Sequence, residues 1–280
     1  MKPELLHDTR AALGEGPVWD SRTQTLYWLD ILGKRIYAGS DVLLELDEFI
    51  GCLAPRKGGG LIFTKRSSFW TLDHAQGRPD PVRTTFLSAL TGEPPTNRFN
   101  DGKCDPRGRF LAGTMDMGEK DPNGSLYSFD GKSITKLLSG VTISNGLTWS
   151  PDHKTLYYID TPTRKVRAFD YDLETGAAAN PREAVRIPDG FGWPDGMTSD
   201  TQGSLWIAMW GGAQVTKWDP RTGQLLERIP VPAKNVSSCV FGGKDLNELY
   251  ITSARVGLDE DALKQYPLTG GVFRLETNVE

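Results

Sequence analysis

Apolar residues in this chain come in short bursts separated by clusters of glycine, proline and aspartate. Six bursts stand out: Leu26-Tyr27-Trp28-Leu29, Phe69-Trp70-Thr71-Leu72, Phe110-Leu111-Ala112, Leu156-Tyr157-Tyr158-Ile159, Leu205-Trp206-Ile207-Ala208 and Leu249-Tyr250-Ile251-Thr252. Each is rich in aromatic, β-branched or other apolar side chains and is too short and too closely bounded by turn residues to be a helix. Ahead of each burst lies an entry segment that can be aligned on Trp19, Phe63, Asp105, Trp149, Ser199 and Phe241. Four residues before each anchor is a shared slot, occupied by Glu15, Gly59, Asp101, Asn145, Asp195 and Ser237. Successive slots are about 42 to 50 residues apart, a period that suits four strands per repeat.

The punctuation agrees with this division. Asp20-Ser21-Arg22-Thr23, Asp105-Pro106-Arg107-Gly108, Ser150-Pro151-Asp152-His153, Asp200-Thr201-Gln202-Gly203 and Gly242-Gly243-Lys244-Asp245 all read as hairpin turns. Third-strand runs follow at Arg35-Ile36-Tyr37, Ser125 to Phe129, Val166 to Phe169, Val215 to Trp218 and Gly271 to Leu275. Helical patterning is confined to Leu258 to Tyr266, which excludes a helical-repeat solenoid. A single four-stranded blade cannot bury both of its faces, so the copies must stack around an axis. The expectation is an all-β, six-bladed β-propeller of four-stranded blades around a central channel, one domain spanning residues 1–280. Leu5-Leu6-His7 is expected to close the ring beside the last blade.

Composition narrows the function. A net charge of −4 and the absence of a basic run argue against nucleic acid as a partner. No apolar core follows Met1-Lys2-Pro3-Glu4 and no long apolar window occurs, so neither secretion nor membrane spanning is expected. Three widely spaced cysteines, Cys52, Cys104 and Cys239, without a CxxC pair fit a reducing, cytoplasmic compartment. The three histidines, His7, His74 and His153, have no metal-ligand spacing, and His153 reads as a solvated turn residue. No nucleophile elbow, P-loop or dinucleotide fingerprint is present.

The shared slot carries the candidate chemistry. In a propeller it faces the axis at one mouth, which would gather Glu15, Asp101, Asn145 and Asp195 into a ring. Asp or Asn before a strand is a common turn device, so any one of them alone reads as structural. Glu15 has little turn preference, and four oxygen-bearing side chains in one register favour a site. Crowded carboxylates resist ionisation, and a hard divalent cation relieves that cost. Arg98 and Asn100 stand beside the ring and could bind hydroxyls, or could equally form a surface ion pair and a cap. Phe191 and Trp193 fit either a pocket wall or blade core, whereas Trp210 is assigned to the core.

The segments Gly14-Glu15-Gly16-Pro17-Val18-Trp19, Asn97-Arg98-Phe99-Asn100-Asp101-Gly102-Lys103, Ala112-Gly113-Thr114-Met115, Ser144-Asn145-Gly146-Leu147 and Pro194-Asp195-Gly196-Met197 are similar to motifs of the regucalcin/gluconolactonase, or senescence marker protein-like, family of sugar lactonases. The resemblance continues through Thr252-Ser253-Ala254-Arg255 and Gly270-Gly271-Val272-Phe273 and so covers essentially the whole chain. It implies a six-bladed propeller holding one divalent metal ion: calcium, zinc, manganese, magnesium or ferrous iron. By motif position the metal ligands would be Glu15, Asn145 and Asp195. Arg98 and Asn100 would bind substrate, with Asp101 near the metal or the substrate. Some family members carry a substrate-binding glutamate where this chain has Gly118; Asp116 or Glu119 are the candidates to compensate.

The expected activity is metal-dependent hydrolysis of a small-molecule sugar lactone, such as a glucono-, xylono- or arabinonolactone, to its aldonic acid. Asp195 is expected to be the catalytic base. Two other functions fit the same ring: a propeller esterase or organophosphate hydrolase, and a non-catalytic cation-binding propeller.

Overall fold

The computed structural model describes residues 2–73 and 82–279, and His74 lies outside them. The described residues form six four-stranded antiparallel sheets, and their only α-helix is Glu260–Gln265. These sheets are the blades of a six-bladed β-propeller. Their inner strands are Gly14–Asp20, Ile50–Pro55, Asn97–Cys104, Ser144–Trp149, Trp193–Ser199 and Asn235–Gly242 for blades 1 to 6. In blades 1 to 5 the chain runs outward from the inner strand through three successive hairpins. Blade 6 contributes only three strands in sequence order, and its outer strand is Glu4–His7. That strand pairs Glu4 with Arg274 and Leu5 with Phe273, as the Leu5-Leu6-His7 segment led us to expect.

Both faces of each blade are apolar because each is covered by a neighbour. The buried residues fall into six clusters, one between each pair of adjacent blades. The cluster between blades 6 and 1 holds Leu26, Trp28, Tyr37, Tyr250 and Val272. There Trp28 stacks on Tyr37 at 4.0 Å, and Trp19 stacks on Tyr250 across the boundary at 5.4 Å. The final interface is therefore packed with aromatic rings like the others.

One repeat differs from the sequence alignment. In blade 2 the inner strand is Ile50–Pro55, and Phe63 lies in the second strand, Leu61–Lys65. Phe69 to Leu72 is accordingly a third strand, Ser68–Asp73, whereas the other five bursts are second strands. Gly59 sits in the exposed turn between the first two strands, with φ of 95°, and not at the axis. The cause is unequal blade length. Blade 1 ends in the short strands Arg35–Ala38 and Asp41–Glu45, which brings blade 2 forward in sequence. Gly51 is the residue of blade 2 at the level of the ring.

Aspartates seal several hairpins from within. Asp200 Oδ1 accepts the backbone N–H groups of Gln202 and Ser204, at 3.1 and 2.8 Å. Its Oδ2 accepts the Trp206 indole at 3.0 Å and pairs with Lys217 Nζ at 2.9 Å. Burial alone would raise this carboxyl's pKa, but the bonds from Trp206, Lys217 and Ser204 prevail and hold it below its usual value. A depressed native pKa gives stability that is present above the unfolded value of about 3.9 and lost as pH falls through the native value. Asp200→Asn should therefore cost on the order of 3 kcal/mol at pH 7, since it strands a largely buried Lys217. In urea unfolding the gap to the parent chain should narrow progressively below about pH 4.

Candidate functional site

Every inner strand breaks register with its neighbour at one common level. The breaks fall between Glu15 and Val18, Ile50 and Leu53, Phe99 and Gly102, Asn145 and Leu147, Pro194 and Met197, and Val236 and Ser238. A bulge re-aims the side chains beside it. Glu15, Asn100, Asp101, Asn145, Asp195 and Ser237 all stand at or within these breaks. The local reason is close approach between inner strands. A Cβ on Gly146 would come within 2.6 Å of the Asp195 carbonyl oxygen and 2.9 Å of Met197 N. A Cβ on Gly51 would lie 2.5 Å from the Phe99 carbonyl. Only glycine permits the inner strands to converge this tightly.

Above this level lies a cavity of about 680 Å³, into which Glu15, Arg98, Asn100, Asn145 and Asp195 all project. The structure thus brings together five of the six site residues expected from sequence. Asp101 is buried but is not among the residues lining the cavity; Asn100, its partner in the bulge, is. Glu119, a possible stand-in for the residue at Gly118, also reaches the cavity. Trp210 corrects an expectation: it is only partly buried and lines the cavity instead of filling blade core. It follows the last inward residue of its strand, so the burst Leu205-Trp206-Ile207-Ala208 gave no sign of its change of environment. Phe191 packs toward the core, 6.2 Å from Trp218, whereas Trp193 faces the cavity.

A chain of hydrogen bonds orients the carboxamides. Arg98 Nη1 donates to Asn100 Oδ1 at 2.7 Å, and Asn100 Nδ2 donates to Asn145 Oδ1 at 3.1 Å and to the Ser144 carbonyl at 2.8 Å. Asn145 Nδ2 donates to Thr161 Oγ1 at 2.8 Å, and that hydroxyl donates to the Pro194 carbonyl at 2.8 Å. The series links blades 3, 4 and 5 and ends beside Asp195. Two further aspartates hold the strand entries. Asp30 accepts the N–H groups of Ala12, Leu13 and Gly33, each at 2.9 Å, just before Glu15. Asp160 accepts those of Thr142 and Ile143, at 3.2 and 3.0 Å, just before Asn145. Sequence reasoning missed both clamps and Thr161, because an aspartate ending a strand looks like any turn residue.

The acids of the site are under electrostatic tension. Burial, followed by the charge of Asp101, pushes Glu15 up to about 8, against the opposing pull of the Gly16 N–H and Arg98. Burial, then Glu15, Asp101 and Glu119, raises Asp195 well above the usual carboxylate range. Burial lowers Arg98 to about 10 despite Glu119, Glu15 and Asp195 nearby. Among the described residues no lysine or arginine forms an ion pair with Glu15 or Asp195, unlike the sealed Asp105 and Asp200. Nor do those residues hold a cluster of three His, Cys, Asp or Glu ready for a metal. The donors are two carboxylates and a carboxamide, all oxygen. That set, with its excess of negative charge, fits a hard divalent cation.

The structure is thus a six-bladed propeller with a cavity at one mouth of its axis whose floor is rich in side-chain oxygens. The family profile described as SMP-30/Gluconolactonase/LRE-like region matches residues 13–255, and the chain belongs to that family. Regucalcin of Danio rerio is 38% identical over 283 residues, covering 98% of this chain and 94% of the relative. A protein of Bacillus subtilis named as a sugar lactone lactonase, YvrE, is 39% identical over 286 residues, covering 99% and 96%. Among solved structures, a calcium-binding protein, regucalcin, from Agrobacterium tumefaciens superposes with a TM-score of 0.91 at 29% identity, covering all of this chain and 94% of its own.

The close approach beneath the cavity is open to test. Gly146→Ala places a Cβ against backbone that cannot swing aside and should cost about 1–3 kcal/mol in urea unfolding. Gly58→Ala, where no atom lies within 4 Å, should stay within about 0.5 kcal/mol of the parent.

Proposed function

We propose that this chain hydrolyses a lactone to the corresponding hydroxy acid with the help of one divalent cation. The observation that supports this most is the convergence of Glu15, Asn145 and Asp195, from blades 1, 4 and 5, on one cavity beside Arg98 and Asn100. Glu15 Oε, Asn145 Oδ1 and Asp195 Oδ would hold the ion. When bound, it would keep both carboxylates ionised and draw electron density from the lactone carbonyl. Calcium is the first ion to test, because the Agrobacterium neighbour is described as calcium-binding.

The remaining steps belong to the protein's own groups. Arg98 stays charged at neutral pH and donates to substrate oxygens, and Asn100 holds its position. Together they fix the ring for attack. Asp195 accepts a proton on its carboxylate as water adds to the carbonyl carbon. The ring C–O bond then breaks, and the proton passes from Asp195 to the departing ring oxygen, giving a hydroxy acid. The cavity wall shields the centre from bulk water, so each charge acts at a lower dielectric than in solution.

Acid release in a pH-stat, on a panel of glucono-, xylono- and arabinonolactone with spontaneous opening subtracted, tests this directly. Turnover should vanish with chelator and return on addition of one metal. Glu15→Gln, Asn145→Ala and Asp195→Asn should each abolish it while the far-ultraviolet circular dichroism is kept. Stoichiometric calcium binding without turnover on lactones or other esters would instead favour a cation-binding propeller. Thr161→Val removes the anchor of the Asn145 carboxamide. It should weaken cation affinity about ten- to a hundredfold by calorimetry.

A further inference from the structure

The floor of the cavity is polar, but its mouth is not. Leu32, Met117, Trp193 and Val256 are 37, 39, 44 and 37% exposed, and all four line the cavity. Single exposed apolar residues are ordinary on a protein surface. Four around one opening, continued inward by Met115 and Ile143, make an apolar wall of the kind that marks a binding site. It is also held in place. The Arg164 guanidinium lies over the Trp193 ring at 4.7 Å and donates from Nη2 to the Pro188 carbonyl at 2.6 Å. Arg164 closes the turn that begins with Thr161, so the short segment that anchors Asn145 also braces the aromatic wall.

A ring clothed in hydroxyls is poorly served by such a wall. Near the floor Arg98, Asn100 and Glu119 can meet a hydroxyl or two. Farther out, Trp193, Met117, Leu32 and Val256 offer an alcohol no carboxylate, carboxamide or guanidinium, and burying a hydroxyl without a partner weakens binding. Size points the same way. A cavity of about 680 Å³ is in the range of about 300–1,000 Å³ that takes a drug-sized ligand, more than one small ring fills.

We propose that the substrate is a lactone carrying an apolar alkyl substituent, with its carbonyl on the polar floor and its chain against Trp193, Met117, Leu32 and Val256. This deepens the lactonase assignment above and rests on it for the chemistry. The reaction is unchanged: water adds to the carbonyl carbon, the ring C–O bond breaks, and the proton ends on the ring oxygen. Only the group carried by the ring differs.

The test compares γ-lactones with alkyl chains of increasing length against gluconolactone, using the metal-loaded chain of 280 residues. kcat/KM should rise about two- to fourfold per added methylene until the wall is covered, and should exceed the value for gluconolactone. The ratio of long-chain to unsubstituted kcat/KM should fall about tenfold in Trp193→Ala and in Met117→Ser, through KM. Calorimetry with the matching γ-lactams, which are not opened, reads the wall without turnover, and their affinity should climb with chain length and lose that dependence in the same variants. Lactone opening with no dependence on chain length, or with gluconolactone preferred, overturns this inference and leaves the lactonase assignment standing. No lactone opening, with chain-dependent lactam binding retained, removes the lactonase assignment and leaves the apolar wall as a ligand site. Sedimentation that shows self-association abolished by Trp193→Ala, with no chain-length effect, assigns the rim to a second copy of the chain and overturns it also.

Discussion

Six inner strands can meet around one axis only if their backbones come closer than side chains normally allow. Glycines at Gly51 and Gly146 make that approach possible, and the break in register beside them turns the adjoining side chains toward the axis. What is gained is a place where residues from separate blades point at one another. What it costs is solvation. Glu15 and Asp195 are drawn out of water, Glu15 into the field of Asp101 and Asp195 into the fields of Glu15 and Asp101, and both hold their protons more tightly than an ordinary carboxyl. The packing that closes the fold is thus also what gathers acidic side chains on the cavity floor.

The chain holds two kinds of buried aspartate, and the contrast explains much of the architecture. Asp105 and Asp200 are enclosed by their own hairpins and paired with Arg109 and Lys217, at 2.7 and 2.9 Å. Asp30 and Asp160 are spent on backbone N–H groups that fix the strand entries. These acids are satisfied within the protein. The pair at the axis has backbone N–H partners but no lysine or arginine paired with it among the described residues, and buried acids with shifted pKa values cluster where a protein meets a ligand.

Much of this was legible in the sequence. The aromatic bursts fixed the number of blades, because a β-strand declares itself through a few consecutive residues and a turn. The slot holding Glu15, Asn145 and Asp195 was legible because chemistry recurred there in register. Blade 2 was misaligned for a physical reason: its inner strand, Ile50 to Pro55, carries no charged residue, and the short blade before it disturbed the period. Trp210 was misplaced because pattern alone does not separate a tryptophan that fills a core from one that walls a cavity. Thr161 and the two aspartate clamps were invisible for a different reason. Their importance comes from partners distant in space, such as the carbonyl of Pro194, and no local spacing encodes that contact.

The manner in which the ring is joined has a consequence for when the pocket can exist. Blade 6 is completed by Glu4–His7, and Ser237 of blade 6 donates its hydroxyl to the Gly14 carbonyl, next to Glu15, at 2.5 Å. Glu15 therefore reaches its final position only after blade 6 has been made and has folded back onto blade 1. Before that, the acids are present in the chain but the concave floor on which they meet is not. Once the circle is complete, blades 1 and 5 flank the joined blade on either side. Any guest gripped by Glu15 and Asp195 together acts as a clasp over that join and slows its reopening.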